Sequence, residues 1–461
     1  MTYNRLAAAD NLACLILGTA AVAATATLWL PWGLAVSAAG VVLSLSFLEN
    51  KRFLLALIFL QPIDIVSSAI PFVSDASLGL HVLAVAGFFL GRLYRGRLQI
   101  GKLLRAGGAR PSLCFVAAIA LAAICGLPGL AHEKIRGVYF VAVYFGFYLF
   151  LMSWLVTEER RRSALRALLF STLLVGVFAI VQVVTRSYMP LYTHMYELAT
   201  TEWKQRPPSF LPGPNALAGY LNLILPFAIA CSVLSKERRW RRLSGAAAAI
   251  GILSLVLTQS RGGYSAFAIS VVYAIWHFGR TYKRRIALLL AVALLGTASY
   301  AALRQWNPKH FGDFEDDHSA LTRVILWYTA WNLFLSSPVH GIGFGTFNFI
   351  SDQYLPVVVD MPEGLGVHNI YLELLAESGM LGLLSFLAVA VSGIRGAQIQ
   401  GRSADWFQHA IGFGAAGGMT AVLVAGFVDH NVLWAPQIGL LFWFWLAMVG
   451  RQTPDRGKAL V

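Results

Sequence analysis

Apolar positions in this chain come in long unbroken runs. They show neither the alternation of a half-buried strand nor the one-sided stripe of a surface helix. Runs of about 16–22 residues are long enough to cross the hydrocarbon core of a bilayer as helices. They fall near 11–30, 32–48, 53–70, 77–92, 111–131, 136–156, 164–184, 215–234, 243–259, 262–278, 285–303, 368–393, 407–427 and 434–450. The pattern predicts an all-α, polytopic transmembrane helical bundle of 12–14 spans, because short runs can merge or re-enter. Five segments follow: N-terminal transmembrane helices over 1–184, a loop over 185–214, central transmembrane helices over 215–303, a large loop over 304–367 containing short helices, and C-terminal transmembrane helices over 368–461.

Composition supports this reading. The 461 residues are 57% apolar and 13% charged, with a mean hydropathy of +0.65. A soluble protein carries about 25% charged residues, so an ordinary soluble enzyme, a disordered chain and a secreted disulfide scaffold are all excluded. Cys14, Cys114, Cys125 and Cys231 lie inside apolar runs with no CxxC spacing and are read as free, buried thiols. Arg5 and Asp10 precede a first apolar run that leads straight into a second, so the first span is expected to stay as an anchor.

A net charge of +14 would suggest nucleic acid in a soluble protein. Here the charges are sorted by loop. Roughly three quarters of the 36 basic residues fall in alternate short loops, such as Lys51–Arg52, Glu158–Arg166 and Lys236–Arg242. The positive-inside rule places that set in the cytoplasm and the two long loops outside. No nucleic-acid partner is expected. The cytoplasmic loops hold no Walker motif and no nucleotide fold, so any chemistry is expected to face outward. No internal repeat and no low-complexity segment is visible.

Four outward stretches could carry chemistry: Arg206–Asn215, Gln259–Gly263, Gly341–Gly345 and Gly366–Glu373. Arg261 sits between two short apolar runs beside two glycines. A charge at membrane depth costs about 2.5–3.5 kcal/mol on insertion scales, and a guanidinium fork suits phosphate oxygens; the alternative is an arginine snorkelling at a span end. Arg206 precedes a stiff proline-rich stretch, with a solvated loop arginine as its alternative. Together the two could clamp a diphosphate, and Arg136, at the outward start of a span, is a weaker third phosphate ligand. His368 opens a long helix whose N-terminus would keep its imidazole neutral and fit to act as a general base; a polar span-end residue is the alternative. A helix over 368–393 would be longer than the bilayer core, so it either projects or breaks near Gly379. Gly341-x-Gly343-x-Gly345 reads as loop punctuation, and the acidic run Asp313–His318 as a solvated face in preference to a metal site. Glu373, Glu377, Asp429 and His430 lie near the outer interface and could bind sugar hydroxyls; nothing in the sequence ranks them.

The Arg206 stretch with its downstream Pro-Asn215, the Ser-Arg261-Gly-Gly turn, the segment from Trp327 to Phe347, and His368-Asn369-x-Tyr371-Leu followed by Glu377-x-Gly379-x-x-Gly382 occur in that order over about 206–382. In order and spacing they resemble the O-antigen ligase and Wzy-type polymerase superfamily of bacterial envelope glycosyltransferases. The resemblance implies 12 spans, fewer than the runs counted above, in the bacterial inner (cytoplasmic) membrane, with the active site facing the periplasm. It implies an inverting transferase of the GT-C type that needs no metal, no ATP and no cofactor. The implied donor is an O-antigen glycan on undecaprenyl diphosphate and the implied acceptor a lipid A–core sugar, with membrane lipids as surroundings. Arg206 and Arg261 match the family's diphosphate-binding arginines and His368 its catalytic histidine. A polymerase of the same superfamily, acting on a second lipid-linked unit, fits the same residues. A transporter of lipid-linked oligosaccharides would want charges at the bilayer midplane and repeated halves.

Overall fold

The computed structural model describes residues 30–62, 76–186, 206–278, 318–354 and 366–450. Among these residues all regular structure is helical and no strand is present. The first part comprises α1 (Leu30–Phe47), α2 (Lys51–Leu60), α3 (Ala76–Tyr94), the short α4 (Ile100–Leu104), α5 (Ala109–Cys125), α6 (Ala131–Trp154) and α7 (Glu158–Thr185). Three central helices follow: α8 (Pro214–Leu234), α9 (Arg238–Leu257) and α10 (Arg261–Phe278). The last part comprises α11 (His318–Ser336), the single turn α12 (Phe347–Ile350), α13 (Ile370–Gln400), α14 (Trp406–Ala425), the single turn α15 (Asn431–Trp434) and α16 (Pro436–Val449).

Six of these helices, α6, α7, α8, α9, α13 and α14, are long and apolar enough to cross a membrane, and Gly79–Tyr94, Ala109–Cys125 and Pro436–Val449 are shorter apolar helices. The chain is an all-α integral membrane protein. Most expected spans coincide with helices to within a few residues. The run at 111–131 stops at Cys125, where Gly126 adopts an extended conformation. The run at 53–70 forms a helix only to Leu60, and residues 63–70 lie outside the described residues, as do 11–29 and 285–303. Cys231 is buried, but Cys114 and Cys125 are exposed, which corrects the expectation of buried thiols; α5 turns them away from the core. Cys14 lies outside the described residues.

Helix starts are set by local chemistry. Asn50, Thr157, Asn369 and Asp405 each accept backbone N–H groups of the following turn, satisfying donors that a helix cannot satisfy itself. Pro214 and Pro436 stand in the first turns of α8 and α16, where a missing N–H costs nothing. α16 is apolar all round and every one of its 14 residues is buried, so it runs through the middle of the bundle. α8 and α14 approach closely because α14 presents glycines. A Cβ at Gly414 would lie 2.4 Å from the Phe227 Cβ, and one at Gly418 would lie 2.7 Å from the Leu223 carbonyl oxygen.

The basic loops gather at one end of the bundle. There Arg92 pairs with Glu49 at 3.1 Å, Lys51 with Glu159, and Arg162 with Glu237 at 2.7 Å. The Arg162 guanidinium also covers the Phe407 ring at 4.5 Å. The opposite end holds the four stretches singled out in the sequence. Two features organise it. First, α13 breaks at Gly379, where φ is 63° and ψ −165°. The segment before it fills the break: Ile342 N–H donates to the Ala376 carbonyl at 3.0 Å, Gly343 N–H to that of Glu377 at 3.0 Å, and Met380 N–H to that of Pro338 at 2.9 Å. Second, part of the expected large loop is the 19-residue helix α11, which packs against α13.

Candidate active site

Each of the three stretches carrying Arg206, Arg261 and His368 touches the next. Arg206 donates Nε to the Thr258 carbonyl at 2.9 Å and Nη2 to Asn215 Oδ1 at 2.9 Å. It is therefore anchored to the turn between α9 and α10 and to the first turn of α8, and is not a freely solvated loop arginine. That turn is capped by Ser260, whose Oγ accepts from Gly263 N–H at 3.2 Å. It is fixed from α8 by Asn222, whose Nδ2 donates to the Gly263 carbonyl at 3.0 Å. Arg261 is thus the first residue of α10, beside its positive dipole end. Gly262 packs against the segment after α14: a Cβ there would lie 2.7 Å from Val428 Cγ2. That segment in turn packs against the start of α13, where Ile370 N–H donates to the Gly426 carbonyl at 2.8 Å and Asn369 Nδ2 to that of Phe427 at 3.1 Å. The rings of His368 and His430 stand 4.8 Å apart.

His368 does not sit in the helix, as the sequence suggested, but two residues before its first turn, with Asn369 as the cap between. Its φ is 50°. A left-handed conformation costs a non-glycine residue about 1–2 kcal/mol and persists only where its surroundings impose it. Here Asn369 on one side and Val367 on the other are held: the Val367 carbonyl accepts from Trp327 Nε1 at 3.1 Å. The imidazole is neutral for more reasons than a helix dipole. Burial, then the charges of His430 and Arg323, push its pKa down to about 3.

Arg206 is under the same influences. Burial first, and then the Arg261 and Arg323 cations, lower its pKa to about 10 against the opposing pull of Tyr264. Both hydrogen-bond partners of Arg206 are neutral. Arg323 therefore acts on Arg206, His368 and Asp429 alike, and positive charge is concentrated where the three stretches meet. Sequence reasoning missed Arg323 because the stretch was read as loop. The signal is one arginine directly before the apolar run Val324–Trp327. Arg136 is exposed on α6. Its guanidinium covers the Phe140 ring at 5.5 Å, and Phe140 meets Trp434 at 5.7 Å.

The unranked acidic residues now separate. Both Glu377 oxygens accept backbone N–H groups, from Gly345 at 2.9 Å and Phe347 at 2.8 Å. Gly341, Gly343 and Gly345 all have positive φ, the conformation that turns successive N–H groups toward one anion. The glycine-rich loop thus spends these N–H groups on a carboxyl group of the protein itself. Glu373 accepts from His430 Nδ1 at 2.6 Å and, through its other oxygen, from Trp434 Nε1. Burial lowers the His430 pKa, but the charge and hydrogen bond of Glu373, joined by Asp429 and Glu377, outweigh it and lift the value to about 9. Burial also raises the pKa of Asp429.

Among the described residues no group of three or more histidine, cysteine, aspartate or glutamate side chains is placed to hold a metal ion. The run Asp313–Asp317 lies outside them. A cavity of about 340 Å³ lies beside the glycine-rich loop, lined by Leu127, Pro128, Leu130, Thr346, Phe349, Ile350 and Gln353, and holds none of the charged residues above.

Residues 246–387 match the model of a family described as O-antigen ligase. The match spans Arg261, Arg323, His368, Glu373 and Glu377, and leaves Arg206, Asp429 and His430 outside it. No curated protein matches the chain.

Proposed function

The chain carries the O-antigen ligase family domain, and from that premise we propose that it transfers a glycan from undecaprenyl diphosphate to a sugar of lipid A–core at the outer face of the bacterial inner membrane. The family covers ligases and polymerases of lipopolysaccharide synthesis, glycosyltransferase-like enzymes that use a lipid-linked donor. The observation that carries the reading is that the stretches bearing Arg206, Arg261 and His368 are joined by successive contacts of their neighbours, at the end of the bundle away from the basic loops.

The acceptor hydroxyl attacks the anomeric carbon. Its proton passes to His368, and the bond from that carbon to the phosphate oxygen breaks with its electron pair going to the diphosphate. A single displacement inverts the anomeric centre and needs no nucleophilic carboxylate. Arg206 and Arg261 neutralise the charge that develops on the departing diphosphate. Burial and the neighbouring cations make His368 a weak base. The donor's own negative charge opposes the surrounding cations and raises its basicity when substrate is present. General-base help of this kind supplies about 10²–10⁴-fold.

Purified protein given the lipid-linked donor and lipid A–core, in EDTA and without ATP, should form the glycosylated acceptor, and His368→Ala should abolish transfer with folding intact. Near-normal turnover in that variant would falsify the base assignment. Glycan analysis of a deletion strain separates ligase from polymerase. Loss of a ligase leaves bare core while lipid-linked polymer accumulates; loss of a polymerase leaves core capped with one unit.

A further inference from the structure

The reaction as proposed gives no task to Glu373, His430 and Trp434. Yet these three are locked together beside His368. Glu373 is 2% exposed and His430 15%. The two Glu373 oxygens are taken by different donors, His430 Nδ1 at 2.6 Å and the Trp434 indole. The Trp434 ring is itself held, stacked on Phe344 at 5.0 Å. Gly366 closes the Cε1 edge of His430: a Cβ there would lie 2.1 Å from Cε1 of the ring. The imidazole therefore has one position, with a proton on Nδ1 and its ring 4.8 Å from that of His368.

We propose that the Glu373–His430 pair is a positioning element of the transferase, in which Glu373 and Trp434 fix the His430 imidazole and His430 holds the His368 ring in place and unprotonated for the acceptor hydroxyl. This rests on His368 being the base. The physical need is plain. A bare carboxylate this close would favour the protonated form of His368. Interposing a charged imidazole cancels that carboxylate and turns a positive edge toward the base. The other charged groups on His430 are Asp429 of its own segment and Glu377 of α13; those on His368 are His430 and Arg323 of α11. Their directions agree with the geometry, since His430 is driven toward its charged form and His368 toward its neutral one.

The test is a titration of the full-length protein in detergent, with histidine Cε1 labelled by carbon-13 and the two resonances assigned from His368→Gln and His430→Gln. In the unmutated protein His430 should be charged at pH 7.5 and His368 neutral at pH 5. A neutral His430 at pH 7.5 overturns the proposal without any variant. In His430→Gln, and to a smaller extent in Glu373→Gln, the His368 midpoint should rise by at least one pH unit. The acid limb of kcat/KM should move up with it: a midpoint raised from about 3 to about 4 roughly halves activity at pH 4 relative to the unmutated protein and leaves the pH dependence above pH 6 unchanged. An unmoved His368 midpoint, with activity lowered equally at every pH, marks a purely structural role and sinks the idea. Full turnover in His368→Ala would instead remove the base reading, while the midpoint shift would still report what the pair does to its neighbour.

Discussion

Arg206 and Asn215, nine residues apart, meet side chain to side chain, with Nη2 of the arginine 2.9 Å from Oδ1 of the asparagine. The same guanidinium reaches the Thr258 carbonyl through Nε, so one residue aligns the entry to α8 with the turn before α10. Lysine has one donor centre and no fork. Arg206→Lys should therefore lose at least ten-fold in transfer although its charge is kept, and should unfold at a lower temperature by the equivalent of about 1.5–3 kcal/mol for a lost hydrogen bond of a charged group. Arg261→Lys should be comparably poor. Normal turnover in both would remove the clamp from the mechanism.

Gly366 leaves no room for a side chain. A Cβ there would sit 2.1 Å from His430 Cε1, so Gly366→Val must push the imidazole off Glu373. Transfer should fall by more than ten-fold while size-exclusion behaviour in detergent is unchanged. Gly129 is the control: nothing lies within 4 Å of a Cβ there. Its positive φ of 86° makes asparagine the substitution to use. Equal loss in Gly366→Val and Gly129→Asn would mean that contact with His430 is not the cause.

Glu377 ties the glycine-rich loop to α13 by two hydrogen bonds from backbone N–H groups. Glu377→Gln keeps the shape but replaces one acceptor oxygen with an amide that cannot accept. A buried hydrogen bond of this kind contributes about 0.5–1.5 kcal/mol, and a loss in that range should appear as a lower thermal midpoint in detergent. An unchanged midpoint would mean that the loop is held by its backbone bonds to the broken helix alone.

The two histidines make stability depend on pH in opposite senses. His368, at about 3 in the folded protein against 6.5 unfolded, contributes fully above 6.5 and loses that contribution as pH falls from there toward 3. His430, at about 9, contributes fully below 6.5 and loses it as pH rises toward 9. Between them they favour greatest stability near pH 6.5. His430→Gln should flatten the alkaline side of the profile and His368→Gln the acid side, as measured by thermal unfolding across pH 4–9.

Much of this was legible in the sequence, because membrane spans declare themselves by length and apolarity alone. The boundaries of α7, α8 and α10 fall within a few residues of the runs that predict them, α7 excepted at its start, where basic residues extend the helix back to Glu158. The break at Gly379 was foreseeable, since the helix was too long for the bilayer. Contacts between distant stretches were not. Nothing local says that Gly262 will meet Val428, or that Glu373 will choose His430 over a sugar. Arg323 shows a different limit. Four prolines spread over 308–362 made that stretch read as loop, but they flank a 19-residue helix without interrupting it.

The discontinuity at Gly379 also fixes a height. Below it, residues 380–400 extend about 30 Å at roughly 1.5 Å per residue, the thickness of the hydrocarbon core. Above it, residues 370–378 are fastened to the loop through Ile342 and Gly343, and the first shaft residues, Met380 and Leu381, to Pro338 and Val339 of the same loop. The loop thus splints both sides of the break, so a tilt of the shaft in the bilayer is passed on to the upper turns that Asn369 caps.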